Sequence, residues 1–166
     1  MTNEEKQLLL KDLCARLPYG VRVGMGVEID ANNPYTLLGI NPSACGCAEI
    51  YVMRGGVTCD GRLDVIKPYL RPVSNMTEEE ISEIKRICDE DDLLNENGEL
   101  VSTIYGMTVL HGEVEDVYPY NLKIKISQNL NYAVLDFLHA HHFDYRGLIE
   151  KGLAIEVTES NNPYKD

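Results

Sequence analysis

A strict two-residue alternation from Tyr19 to Asp30 is the feature that most restricts the fold of this chain. The apolar positions are Tyr19, Val21, Val23, Met25, Val27 and Ile29. The residues between them are small or charged, and three of them are glycines. Because successive side chains of a strand point to opposite faces, the pattern predicts a strand with one face on a core. The glycines then lie on its outer face, where they permit twist or close approach.

More strand patterns follow at short spacing. Residues 35–40 and 48–53 are typical of strands, and after the Gly55-Gly56 break a further strand is predicted at 63–66. Residues 67–72 include two prolines, which we expect to prevent both helix formation and ladder pairing. This segment is therefore predicted to be an extended, unpaired stretch that ends the run of strands. The spacing favours an antiparallel meander or a small, partly open barrel.

The first two predicted helices start at capping boxes, in which a Thr is followed three residues later by a Glu. The first helix covers residues 2–17. Its apolar stripe consists of Leu9, Leu10, Leu13, Cys14 and Leu17. We expect Cys14 to be buried in this stripe. The second helix starts at Thr77 and should end near Cys88, because the acidic run 89–92 opposes the helix dipole at its carboxyl end.

A third helix is predicted at 129–141, and strands are predicted at 100–110, 112–117 and 122–126. The predicted fold class is therefore α+β, with a small antiparallel sheet or half-barrel, three helices and a second small sheet as an option. We expect one compact domain over residues 1–157, with 1–72 and 73–157 as alternative sub-units. The polar tail 158–166 is predicted to be loose.

The formal net charge of −12 restricts the partners. This charge opposes direct binding to nucleic acid or to an anionic membrane by repulsion, whereas it can favour a basic protein partner. No apolar segment reaches the roughly 18 residues of a membrane span, and the amino-terminal residues lack a secretory signal. Five scattered cysteines favour reduced thiols, so a cytoplasmic location is predicted.

Two groups of residues raise the question of a metal ion. Cys45, Cys47 and Cys59 lie close in sequence, but their spacing differs from that of zinc ribbons and fingers, and reduced loop thiols are the favoured interpretation. Three histidines, His139, His141 and His142, end the third helix. Helix termination accounts for them, while a metal site with Asp144 is the weaker alternative. We predict no metal ion and no cofactor.

Common catalytic motifs are absent from the sequence. It contains no phosphate-binding loop, no dinucleotide fingerprint after a strand and no nucleophile elbow. We therefore predict no catalytic residue. An enzyme of unrecognised type, using His142 with Asp144, is kept as the third hypothesis.

Cationic and aromatic residues cluster in two places that we interpret as candidate ligand- or partner-binding residues. The full set is Lys67, Tyr69, Arg71, His142, Asp144, Tyr145 and Arg146. In the favoured interpretation Arg146 is a structural latch that pairs with an acidic residue and stacks on Tyr145 or Tyr69. In the sharper hypothesis one groove that holds an anionic or planar ligand is lined by Arg146, Tyr145, His142, Tyr69 and Arg71.

Three motifs, taken together and in order, resemble those of a known family. They are KDLCARLPYGV at 11–21, IKPYLRP at 66–72 followed by MTEEE at 76–80, and HFDYRGLIEKGLA at 142–154. The family consists of uncharacterised proteins of gut bacteria and of the phages and mobile elements that inhabit them. The resemblance implies a phage or mobile-element origin, and it implies no biochemical mechanism. It favours a non-catalytic interaction module that binds a host protein, with a small-ligand binder as the alternative.

Overall fold

The computed structural model describes residues 1–26, 29–42, 48–90, 107–108, 125–126 and 132–165. Its helices are α1 (Asn3–Arg16), α2 (Glu78–Glu90) and α3 (Tyr132–Ala140). Its strands are β1 (Arg22–Met25), β2 (Tyr35–Pro42), β3 (Ala48–Arg54), β4 (Val57–Arg62), β5 (Ile66–Pro72), β6 (Met107–Thr108), β7 (Lys125–Ile126), β8 (Phe143–Asp144) and β9 (Ile155–Glu156). The prediction of an α+β protein with three helices is confirmed for the described residues.

The chain divides into two compact units. The first contains Met1–Arg71 and Gly147–Asp166, and the second contains Pro72–Arg146. The first junction lies within one residue of the boundary that the sequence suggested between residues 72 and 73. The chain then returns to the first unit at Gly147, so the last part of the suggested sub-unit 73–157 belongs to the first unit.

The sheet of the first unit is larger than the small sheet that the sequence predicted. Its strands follow the order β4-β3-β2-β1-β5 with antiparallel neighbours, and β9 adds to β5 in parallel. Strand β4 was missed because Gly55-Gly56 was interpreted as a break. The two glycines instead form a two-residue turn with positive φ values of 58° and 79°, which connects β3 to β4 as a hairpin.

The expectation that residues 67–72 avoid ladder pairing was wrong. Strand β5 pairs with β1, and Pro68 lies directly opposite Val23. A proline lacks only its own N–H donor, and the neighbouring residues of β5 keep theirs, so one proline does not abolish a ladder. The strand predicted at residues 63–66 is also corrected, since Leu63–Val65 forms a short 3-10 helix.

The core of the first unit lies between α1 and one face of the sheet. It contains Leu9, Leu13, Val21, Val23, Leu37, Ile50, Val52, Leu63 and Ile66. The prediction that Cys14 is buried was wrong, because its side chain is exposed. The buried face of α1 includes Asp12 and Arg16 instead, and the Arg16 Nε donates to the Asp12 Oδ2 at 2.7 Å with both side chains fully buried.

Tyr164 ties the polar tail to the sheet. Its hydroxyl accepts a hydrogen bond from the Arg22 N–H at 3.1 Å and donates one to the Tyr69 carbonyl oxygen at 2.9 Å. The register of β1 and β5 would place Arg22 opposite Tyr69, one position beyond the last pair, Val23 with Pro68. The phenol therefore bridges the two strands where their own pairing ends. The polar composition that predicted a loose tail gives no sign of this contact.

The second unit contains α2 and α3, which pack around a second core. This core consists of Met76, Ile84, Val134, Leu138, Phe143 and Tyr145. The predicted capping box is confirmed, since the Glu80 N–H donates to the Thr77 Oγ1 and the Thr77 N–H donates to the Glu80 carboxylate. Helix α2 ends at Glu90, two residues beyond the predicted end.

Strands β6 and β7 pair antiparallel, in keeping with the optional second sheet. The remaining parts of the strands predicted at 100–110, 112–117 and 122–126 lie outside the described residues, as do residues 129–131 of the predicted third helix. Within the part of the chain that the structure describes, none of the helices combines the length and the apolar character needed to cross a lipid bilayer.

Replacing Asp12 tests the buried ion pair. Asp12→Ala leaves the Arg16 guanidinium buried without this carboxylate, so we expect the free energy of unfolding to fall by about 3–5 kcal/mol. The double variant Asp12→Leu/Arg16→Met, which removes both charges, should recover most of the loss. Urea denaturation measures both. The exposed Arg62–Asp64 pair provides the control, since Asp64→Ala should change little. If Asp12→Ala and Asp64→Ala lowered the free energy of unfolding equally, the buried position of the Asp12–Arg16 pair would not explain the effect.

Replacing Tyr164 tests the bridging hydroxyl. Tyr164→Phe should lower the free energy of unfolding by about 1–3 kcal/mol at neutral pH, because two backbone groups lose their partner. Burial raises the pKa of the Tyr164 phenol well above its usual value. The unfolded phenol ionises near pH 10, so the stability that wild type derives from this group is present below that pH and is lost as the pH rises above it.

Denaturation curves at neutral pH and above pH ~10 check both parts of this prediction. The difference in the free energy of unfolding between wild type and Tyr164→Phe should become smaller above this pH. Tyr132→Phe, at a side chain that is 84% exposed, serves as the control. A difference that grows with pH would contradict the prediction.

Candidate functional site

Three of the predicted residues occupy alternate positions of β5. Lys67, Tyr69 and Arg71 therefore share one face of the strand. Lys67 lies opposite Gly24 of β1, and Tyr69 lies opposite Ile155 of β9. Lys67 and Arg71 are half-buried, whereas Tyr69 is 0% exposed. The Tyr69 ring therefore offers no open face on which a ligand could stack.

The polar atoms of Tyr69 serve the interior of the first unit. Its carbonyl oxygen accepts the bond from Tyr164, and its buried hydroxyl has no hydrogen-bond partner among the described residues. Burial, and to a lesser extent the nearby Asp30 carboxylate, raise the pKa of the Tyr69 phenol. Both effects keep the phenol neutral, as suits a residue that anchors the sheet.

The outer face of β1 is closely packed beside Lys67. A Cβ atom added at Gly24 would lie 2.8 Å from the Ile155 Cδ1 and 3.0 Å from the Ile29 Cγ2. The expectation that glycines of this strand permit close approach is confirmed at Gly24. Two isoleucines fill this part of the outer face, so it presents a covered surface.

The other four predicted residues follow α3 in the second unit. His142 has a positive φ of 57°, and its N–H donates to the His139 carbonyl oxygen at 3.1 Å. A left-handed residue at this position ends a helix, and glycine is the usual choice. The side chain of His142 is buried. The backbone of His142 therefore terminates α3, while Asp144 follows in β8 and is half-buried.

Tyr145 connects two basic side chains. Its hydroxyl oxygen lies 2.6 Å from the His139 Nε2 in a buried hydrogen bond. On its ring, the guanidinium carbon of Arg146 lies 4.7 Å from the ring centroid, as in a cation–π contact. Of the two stacking partners proposed for Arg146, the structure shows Tyr145. The bond between His139 and Tyr145 was not predicted from the sequence, because helix termination or a metal ion accounted for all three histidines.

His141 ties the end of α3 to the start of α2. Its Nδ1 lies 3.2 Å from the Glu80 Oε1, while the other carboxylate oxygen of Glu80 caps α2. The His141 ring also stacks on Phe137, with 4.2 Å between the ring centroids. No sequence pattern predicts this contact, because His141 and Glu80 are 61 positions apart in the chain.

The seven predicted residues thus fall three in the first unit and four in the second. Within the second unit the structure brings Tyr145 and Arg146 into direct contact. The common groove remains a hypothesis. In the described part of the chain, no group of three His, Cys, Asp or Glu side chains is arranged to hold a metal ion. Cys45 and Cys47 lie outside the described residues, and Cys59 lies half-buried in β4.

A surface that the sequence analysis missed lies on the outer face of β2, β3 and β4. The strand register places Tyr51 at its centre, between Gly39 on β2 and Asp60 on β4. Met53 and Glu49 flank Tyr51 along β3, on the same face. We call this surface the Tyr51 face, and it consists of Leu38, Gly39, Glu49, Tyr51, Met53 and Asp60.

Apolar groups are exposed on the Tyr51 face. Leu38 is the extra residue of a β-bulge between Leu37 and Gly39 and is 44% exposed, and Tyr51 is 37% exposed. The Tyr51 hydroxyl donates to the Glu49 Oε2 at 3.1 Å, which fixes the ring direction. Alternation in β3 could have signalled an outward Tyr51, but the bulge that exposes Leu38 depends on the pairing of β2 with β3.

Tyr145→Phe tests the assignment of Tyr145 as an anchor. The variant keeps the ring under Arg146 and removes the hydroxyl that bonds His139, so we expect the free energy of unfolding to fall by about 1–3 kcal/mol. Tyr51→Phe, which removes an exposed hydroxyl, is the matched control and should change little. Thermal and urea denaturation measure both variants. Unchanged stability in Tyr145→Phe would contradict a structural role for this hydrogen bond.

Searches for relatives assign no family: no protein-family model, no curated protein and no solved structure matches this chain.

Proposed function

We propose that this chain is a non-catalytic interaction module of phage or mobile-element origin that binds a host protein in the cytoplasm. The three motifs that resemble the family of gut-bacterial and phage proteins support the origin. The net charge of −12 supports a protein partner with a basic surface over nucleic acid, since like charges repel.

The predicted cationic and aromatic residues suit an anchoring role in such a module. Tyr69 and Tyr145 are buried, and each makes a hydrogen bond within its own unit. Arg146 stacks on Tyr145, and the backbone of His142 ends a helix. Groups that are used in this way stabilise the fold and leave recognition to other surfaces.

The observation that carries the proposal is the Tyr51 face. One side of the sheet holds the core of the first unit, while the side formed by β2, β3 and β4 exposes an aromatic and a leucine beside a half-buried methionine and two carboxylates. Tyr and Met are enriched at protein interfaces, and aromatic residues dominate their binding energy. A pre-formed sheet face of this composition suits docking of a folded or extended protein surface.

A second candidate function is binding of a small anionic ligand. Lys67 and Arg71 lie on one face of β5 and are half-buried, so their charges could hold a phosphate or a carboxylate. The buried Tyr69 ring does not support stacking of a planar ligand at the same place. A thermal-shift screen against nucleotides tests this candidate, and stabilisation that is lost in Lys67→Ala/Arg71→Ala would favour it.

Affinity capture from a gut-bacterial lysate tests the leading proposal. We expect one host protein to co-purify in stoichiometric amount and to form a complex with the purified chain in analytical ultracentrifugation. Because the charge of the chain is strongly negative, the association rate should fall as salt rises. Heat-denatured chain on the same matrix is the control for non-specific capture. If no host protein binds stoichiometrically above that control, the proposed function is wrong.

A further inference from the structure

The Tyr51 ring is positioned to present one of its faces to a partner. Gly39 lies opposite Tyr51 across the β2–β3 ladder, and a Cβ atom added at Gly39 would lie 3.9 Å from the Tyr51 Cδ2. The ring therefore lies beside the backbone of β2 at van der Waals distance, and its hydroxyl donates to the Glu49 carboxylate. An aromatic ring that is held in place loses little conformational entropy on binding.

A carboxylate without an internal partner lies beside this ring. Asp60 is directly opposite Tyr51 in the β3–β4 ladder, so their Cβ atoms are about 5 Å apart. Its side chain is exposed and has no hydrogen bond or ion pair within the described residues. Glu49, the next residue of β3 on the same face, adds a second negative charge. Arg62 of β4 lies opposite Glu49, and its guanidinium donates to the Asp64 carboxylate at 2.6 Å and 3.1 Å.

The same sheet contains a cation–π contact between an arginine and a tyrosine. The guanidinium carbon of Arg54 lies 4.2 Å from the centroid of the Tyr35 ring. That cation–π contact uses an arginine of the chain itself. Tyr51 offers a comparable ring with a carboxylate beside it, and no cation of the described residues lies over this ring.

We propose that the Tyr51 face binds an arginine-bearing segment of a protein partner. The arginine places its guanidinium over the Tyr51 ring and donates a forked hydrogen bond to the Asp60 carboxylate. An apolar side chain that neighbours this arginine packs on Leu38 and Met53. The inference rests on the proposed function, because it names the surface and the chemistry by which the module would recognise its host protein.

Charge complementarity selects this occupant over others. Asp60 and Glu49 attract a cation, because the one guanidinium that the register places opposite Glu49, that of Arg62, is forked to Asp64. The net charge of −12 repels nucleic acid and a second copy of the chain. A planar guanidinium can stack on a ring and fork to a carboxylate at once, whereas a lysine ammonium acts as a point charge. The face should therefore prefer arginine to lysine.

A displayed library of random peptides provides the probe. The library is selected on the wild-type chain and counter-selected on Tyr51→Leu. We expect the enriched peptides to share an arginine next to an apolar residue. In calorimetric titrations of one such synthetic peptide, Tyr51→Leu and Asp60→Asn should each weaken binding by about fivefold or more. Tyr51→Phe keeps the ring and loses only the bond to Glu49, so it should weaken binding less than Tyr51→Leu does. Replacing the peptide arginine with lysine should also weaken binding.

Tyr132→Leu is the matched control, because it removes another exposed tyrosine and should leave binding unchanged. Circular dichroism of each variant establishes that it is folded. Enriched peptides without arginine, equal binding to Tyr51→Leu, or no enrichment at all would overturn the inference. Self-association of wild type that Tyr51→Leu abolishes would also overturn it, since a second copy would then occupy the face.

The outcome is separable from that of the proposed function. If Tyr51→Leu still captures the same host protein from lysate, the module function stands and the Tyr51 face is the wrong surface. If the peptide experiment succeeds but no host protein is captured by wild type, the face binds arginine and the proposed function is wrong.

Discussion

An ion pair inside the core of the first unit constrains which face of α1 packs on the sheet. Asp12 and Arg16 are one helical turn apart on α1, and both are withdrawn from water on the side of the helix that holds Leu9 and Leu13. Two charges in a core must satisfy each other, because desolvation penalises each of them alone. The pair therefore restricts how α1 can rotate on the sheet, and it explains why Cys14 points to solvent.

The sheet that α1 covers has two different outer regions. Around β1 and β5, Ile29 and Ile155 fill the space above Gly24, and the Tyr164 phenol bridges the ends of the two strands. At the other end, the β3–β4 hairpin and the bulge in β2 leave Tyr51 and Leu38 exposed. The first region is covered by side chains of other segments, and the second is exposed to solvent.

The second unit is held by side chains from the end of α3. His139 bonds Tyr145 inside the core, and His141 bonds Glu80 at the start of α2. These histidines looked like helix-terminating groups or metal ligands in the sequence, and both interpretations considered only their neighbours along the chain. Their partners belong to other elements or to the following turn, so the folded unit decides what each of them does.

The sequence by itself determined the features that depend on neighbouring residues. The capping box at Thr77, the alternation through Val21 and Val23, and the Arg146–Tyr145 stack all follow from local spacing, since their partners are within a few positions. Only the tertiary structure decided the pairing of β5, the bridge from Tyr164, the buried charges of α1 and the exposure of Leu38. Each of these depends on which distant segment packs against a residue, and residue type and periodicity do not encode that choice locally.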